Sequence, residues 1–153
     1  MKWGELMSFS SATKSELCRI PLRNNCCILA ELSALLYING TITFLGQEKI
    51  RLRLNTENAS VARRVFKLIK KLYHINPEIL VRKNRRLRKN NCYVLAIPQS
   101  SRARKILEST YILYTNNENH TDIYMGIHPE LIKNECCKRA YLRGVFLGGG
   151  SIS

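Results

Sequence analysis

The stretch CCILAELSALLYINGTI, residues 26–42, recurs in altered form as CCKRAYLRGVFLGGGSI, residues 136–152. Aligned without a gap, 110 positions apart, the copies agree at six of 17 places: Cys26 with Cys136, Cys27 with Cys137, Ala30 with Ala140, Leu32 with Leu142, Gly40 with Gly150 and Ile42 with Ile152. Character also persists between identities, since Leu35 faces Val145, Leu36 faces Phe146 and Ala34 faces Gly144. Self-similarity at a fixed offset marks an internal repeat. The chain is therefore expected to use one helical unit twice.

In the first copy the apolar residues at 28, 29, 32, 35 and 36 form a helical stripe, with Asn24 or Asn25 as cap and Asn39-Gly40 as the stop. Two short runs follow, 41–45 and 49–55, rich in Thr, Ile and Leu and divided by Gly46-Gln47-Glu48. They read as a β-hairpin. The second run alternates strictly. Lys49, Arg51 and Arg53 fall on one side of the strand and Ile50, Leu52 and Leu54 on the other, because strand side chains repeat every two residues. One face of the sheet must be covered by helices, and the other is cationic.

Asn58 can cap a second helix, with Val61, Val65, Leu68, Ile69 and Leu72 on its buried stripe and Arg63, Arg64, Lys67, Lys70 and Lys71 on its wet side. Asn76-Pro77 ends it. A second hairpin over 78–83 and 91–97 is joined by a loop, NRRLRKN, that is almost all arginine and lysine, and a third helix opens at Ser100 or Ser101. Before the first copy, residues 1–17 carry Ser8, Ser10, Ser11 and Thr13 and little periodicity, which suggests an arm with one helical turn, broken at Pro21. Residues 114–122, YTNNENHTD, read as a flexible polar linker. The expected division is an arm over 1–23, a first repeat over 24–113, a linker over 114–134 and the start of a second repeat over 135–153. The strand that should follow the second copy, from Ser151, never arrives. A fragment of a longer protein is expected.

The chain of 153 residues suits one compact domain, or one and the start of another, and 45% hydrophobic residues suffice for a core. No apolar run approaches the roughly 18 to 20 residues of a membrane span, and the N-terminus lacks the apolar core of a signal peptide. A cytoplasmic protein with six reduced cysteines is expected. Formal charge is +14, unevenly spread. Between Lys49 and Lys105 lie 17 basic residues and two acids, Glu57 and Glu78, or +15 in 57 residues, leaving −1 for the rest. An excess gathered this way is the footprint of a polyanion partner, and nucleic acid is the commonest.

LSALLYING, residues 32–40, and LRGVFLGGG, residues 142–150, resemble degenerate copies of the nine-residue LAGLIDADG motif of homing endonucleases, whose fold also runs helix, hairpin, helix, hairpin, helix. Together with SFSSATKSEL, the CC pairs, NASVARRVFKLIKKLY and VRKNRRLRKNNCYVLAIP, these blocks resemble the WhiA family of sporulation transcription regulators from residue 8 onward. The resemblance implies an α+β, LAGLIDADG-like αββαββα repeat with the first helix of a second. It further implies a nuclease-like DNA-binding domain normally followed by a helix-turn-helix, acting on genes of sporulation and cell division near the nucleoid. In active endonucleases the eighth motif position supplies a carboxylate to shared divalent metals, hard cations that take anionic oxygen. Here the eighth positions are Asn39 and Gly149 and the sixth are Tyr37 and Leu147, none of them acidic. The small third-position residues, Ala34 and Gly144, keep the close packing of the two motif helices while the chemistry is lost. No catalysis, cofactor or metal is expected.

The expected partner is double-stranded DNA, met by Lys49, Arg51, Arg53 and at least one of Arg82 and Lys83 on the concave sheet face, and extended by Arg85, Arg86, Arg88 and Lys89 from the hairpin loop. Such groups mostly contact phosphates, with Arg the best reader of guanine. A residual metal-dependent nuclease, a module that docks other transcription regulators, and RNA binding stay as alternatives. The CC pairs have no C-x-x-C spacing and no matched His pair, a poor zinc signal, although pseudo-symmetric helices could bring Cys26, Cys27, Cys136 and Cys137 together. Buried helix-start thiols are the expectation. His74, His120 and His128 stand apart and read as surface or loop residues. The helix from Cys136 to Phe146 has two destinations, the first motif helix or another copy of the chain in a dimer.

Overall fold

The computed structural model describes residues 3–83 and 91–150, with side chains from residue 9 onward. The elements run α1 (Trp3–Leu17), α2 (Asn25–Asn39), β1 (Gly40–Phe44), β2 (Ile50–Thr56), α3 (Ala59–Tyr73), β3 (Glu78–Lys83), β4 (Asn91–Ile97), α4 (Ser100–Ser109), β5 (Leu113–Thr115), β6 (Thr121–Ile123), a 3-10 turn (Pro129–Ile132) and α5 (Glu135–Gly149). From α2 to α4 this is the αββαββα order. The four strands pair antiparallel as β1-β2-β4-β3. The alternation of β2 sends Ile50, Leu52 and Leu54 into a core with Leu32, Leu35, Val65, Leu68, Ile106 and Leu107 from the three helices. Asn58 caps α3 through Oδ1, which accepts from the backbone N–H groups of Ser60 (2.9 Å) and Val61 (3.1 Å). Asn58→Ala leaves two first-turn donors without that acceptor and is expected to cost about 1 kcal/mol, measured as a shift in urea midpoint at constant m-value.

Four expectations require correction. Residues 3–17 form a 15-residue helix rather than one turn. It is held from outside: Ser15 hydrogen-bonds Ser60 of α3 at 3.2 Å, Leu17 packs against the core, and the Lys14 ammonium lies 5.7 Å from the Phe146 ring centroid of α5. Helix α2 is buried on more than the expected stripe, because Ala30 and Ala34 form a second, smaller core with Ala140, Tyr141 and Leu131. Arg64 is not on the wet side of α3 but 4% exposed, with its charge met by Glu31. Residues 114–122 are not a flexible linker: β5 and β6 pair across them, and the Asn116 side chain closes the turn by accepting from the N–H groups of Glu118 and His120.

Candidate nucleic-acid interface

Directly paired residues of an antiparallel sheet share a face, so the register assigns the face opposite the helices. Thr43 pairs with Arg51 and Thr41 with Arg53, while Arg53 also pairs with Ala96 and Asn55 with Val94. Continuing outward, Ala96 pairs with Glu78, Val94 with Leu80 and Cys92 with Arg82. Arg51, Arg53 and Arg82 therefore share the open face. Lys83 has the other parity and projects on the helix side of an edge strand. Lys49 is exposed in the turn before β2, where its N–H donates to the Gly46 carbonyl at 3.0 Å. Arg85, Arg86, Arg88 and Lys89 lie outside the described residues.

Arg53 is half-buried, and its Nε is covered without a hydrogen-bond partner among the protein atoms. A buried donor left unmatched costs free energy until water or a ligand supplies an acceptor. The face is not cationic throughout, however. Its β2 side carries the arginines with Thr41, Thr43 and Asn55, whereas Val94 and Ala96 on β4 are buried and apolar. Strand β3 is exposed on both sides, with Ile79, Leu80 and Val81 each roughly half in solvent. The basic residues of the sequence also divide in space. Arg63, Lys67, Lys70 and Lys71 are exposed on α3, in the helical layer behind the sheet. Charge counted along the chain overstates what one face offers.

The motif helices α2 and α5 pack together through their small residues. A Cβ placed on Gly144 would lie 2.5 Å from the Glu31 carbonyl oxygen and 2.8 Å from the Ala34 Cβ, so no larger residue fits without a shift. At the far end, Asn39 Nδ2 lies 3.5 Å from where a Cβ of Gly148 would be, so the motif ends adjoin. Tyr37 is exposed, Leu147 is buried and Asn39 is half-buried; Gly149 is exposed. None of these four residues carries a carboxylate, the ligand a hard cation takes in an endonuclease.

One arrangement had no reading in the sequence, and a second was raised there only as a possibility. Glu31, 1% exposed, accepts from Arg64 Nε at 2.6 Å and Nη2 at 3.0 Å, and from Arg143 Nε at 2.6 Å. Arg64 Nη1 also donates to the carbonyls of Cys18 (3.1 Å) and Ile20 (2.6 Å), so one guanidinium joins the α1–α2 connection to α2 and α3. The repeat itself held a signal for this, since Glu31 interrupts an otherwise apolar run. The second arrangement is the cysteines. These helix-start thiols are not all buried as expected, since Cys26 is exposed and of the four only Cys137 is buried, and the pseudo-symmetric helices bring the Sγ atoms of Cys26, Cys27, Cys136 and Cys137 within 4.8 Å of one another. Of the histidines, His128 stacks on Tyr111 with centroids 4.2 Å apart and its Nδ1 accepts from the Glu130 N–H, capping the 3-10 turn. His74 closes α3 in a left-handed conformation, φ 56°.

A family model described as the WhiA N-terminal LAGLIDADG-like domain matches residues 25–113. Among curated relatives, the probable cell division protein WhiA of Alkaliphilus metalliredigens (strain QYMF) is 48% identical over 147 residues, covering 96% of this chain and 46% of the relative. The probable cell division protein WhiA of Bacillus subtilis (strain 168) is 46% identical over 147 residues, covering 96% and 44%. The chain thus spans about half the length of the curated relatives it matches. In three dimensions it is similar to the crystal structure of full-length DUF199/WhiA from Thermatoga maritima, with a TM-score of 0.60 at 21% identity over 95% of this chain and 40% of that one. It is also similar to the crystal structure of the N-terminal LAGLIDADG domain of DUF199/WhiA, with a TM-score of 0.58 at 19% identity over 92% and 58%. At such identities these structures speak for the shared fold. Among the described residues, no helix is long and apolar enough to cross a membrane.

Proposed function

Because the chain belongs to the WhiA family, whose N-terminal LAGLIDADG-like domain it carries, we propose that it is a non-catalytic, double-stranded DNA-binding domain of a transcription regulator of cell division and sporulation, acting at the nucleoid. The observation that carries this reading is the pairing of Arg51 and Arg53 on the open side of the sheet, flanked by the hydrogen-bonding side chains of Thr41, Thr43 and Asn55. Guanidinium groups alternating along one strand stand about 7 Å apart, close to the spacing of successive phosphates along a DNA strand, so both can engage one backbone. The loss of acids from Tyr37, Asn39, Leu147 and Gly149 argues against nuclease chemistry. The exposed apolar edge of β3 favours a second reading, in which the domain also docks another regulator through Ile79, Leu80 and Val81.

Fluorescence anisotropy on a labelled duplex at two salt concentrations tests the proposal, with Mg²⁺ present and the duplex run on a gel afterwards. Salt-sensitive binding to an intact duplex is expected. Arg51→Glu/Arg53→Glu should weaken it by at least tenfold and flatten the plot of log K against log salt by about 2, since each phosphate contact contributes roughly 0.9 to the slope. Undiminished binding would remove the sheet from the interface. Cleavage of the duplex would overturn the non-catalytic assignment.

A further inference from the structure

The CC pair that opens each copy of the repeat occupies the first turn of its helix, Cys26 and Cys27 in α2 and Cys136 and Cys137 in α5. Close packing of the helices around Ala34 and Gly144 draws these first turns together, so that four thiols separated by 110 residues of chain meet with every Sγ within 4.8 Å of the others. All four are free thiols. A tetrahedral tetrathiolate with metal–sulfur bonds of about 2.3 Å sets its sulfurs about 3.8 Å apart, so closing around one ion moves each atom by about 1 Å or less. Four sulfurs in tetrahedral array select zinc or iron over magnesium or calcium, which take oxygen.

We propose that Cys26, Cys27, Cys136 and Cys137 form a structural site for a single thiophilic divalent ion, zinc above all, that clamps the N-terminal ends of the two motif helices. Two further observations fit it. The cluster is graded in exposure, from Cys137 at 2% to Cys26 in solvent, which gives the site a dry wall of Ala30, Ala140 and Leu131 and an open side for entry. Both helix starts have an asparagine at the cap position, Asn24 and Asn134, and neither side chain caps its helix, so positive helix ends face the place where thiolate charge would gather. Metal binding requires the thiols as thiolates, so affinity should fall as pH is lowered.

The site is independent of the DNA-binding face and is tested without nucleic acid. Chelator-stripped, reduced protein is titrated with Co²⁺ as a spectroscopic stand-in for zinc. One equivalent per chain is expected, with thiolate-to-metal charge transfer and the intense visible bands of tetrahedral cobalt, both bleached by zinc. Zinc should then shield four of the six thiols from a thiol reagent, leaving Cys18 and Cys92 reactive after mild unfolding of their surroundings, and should raise the melting temperature. Cys26→Ser, at the exposed ligand, keeps the fold and should weaken cobalt binding at least a hundredfold, whereas Cys92→Ser should leave it unchanged. Absence of tetrahedral bands, full cobalt affinity in Cys26→Ser, or disulfide formation within the cluster in air with no metal affinity after reduction would each overturn the site.

Discussion

Glu31→Ala is expected to be among the most damaging single changes in the chain, lowering stability by about 3–5 kcal/mol. The carboxylate is buried and takes three hydrogen bonds from two arginines at 2.6, 3.0 and 2.6 Å. Truncating it strands the Arg64 guanidinium, whose side chain is 3% exposed, without its counter-charge. The two backbone carbonyls of Cys18 and Ile20 remain as acceptors but cannot neutralise it. Arg143 is more exposed, at 17%, and can turn to water. Arg143→Ala should therefore cost far less than Glu31→Ala. Removing both members of the inner pair, as Glu31→Met with Arg64→Leu, should recover much of the loss, because two apolar groups avoid the desolvation that an orphaned charge suffers. Urea titrations of the wild type, Glu31→Met, Arg64→Leu and the double variant give the coupling directly. If Glu31→Ala were near neutral, the pair would be a passenger rather than the joint between α2, α3 and α5.

Much of the fold was legible because its signals are local. The alternation of Ile50, Leu52 and Leu54 against Arg51 and Arg53 needs only a period of two, and Asn58 marks the start of α3 by its own chemistry, whereas the helix closes at His74, ahead of the Asn76-Pro77 breaker. What sequence reading missed depends on partners far along the chain. Arg64 looks solvated on a helical wheel and is buried only because Glu31, 33 residues earlier, meets it. Helix α1 shows little amphipathic pattern of its own and is fastened by Ser60 and Phe146. Strands of three residues, as in β5 and β6, are too short for periodicity to register, and Asn116 reads equally well as linker or turn. For the candidate interface, parity sorted Arg51 and Arg53 correctly onto one face but could not divide Arg82 from Lys83 without the β3–β4 register. The cysteine cluster was written in the sequence only as the repeat itself: no spacing rule finds four ligands that become neighbours through the packing of two helices.

That packing is the subject of the second large effect. Gly144→Ala would ordinarily stabilise a helix by about 1 kcal/mol, since glycine has more backbone freedom to lose. Here the sign should reverse. The added methyl would stand 2.5 Å from the Glu31 carbonyl oxygen, a backbone atom already fixed in α2, and 2.8 Å from the Ala34 Cβ. Neither can rotate away, so the helices must part, at a cost of about 1–3 kcal/mol for the alanine and more for valine or leucine. Gly149→Ala is the control: among the described residues its one near neighbour is the Ile38 Cγ2 at 3.3 Å, the end of a half-exposed side chain that can give way, and it should be neutral or mildly stabilising. Separation of α2 and α5 also makes the metal prediction sharper. Gly144→Leu should spread the four thiols and lose tetrahedral cobalt binding although every cysteine is present, with far-ultraviolet dichroism reporting that the helices persist. Loss of stability without loss of cobalt affinity would mean that the helix starts are held together by something other than the contact at Gly144 and Ala34.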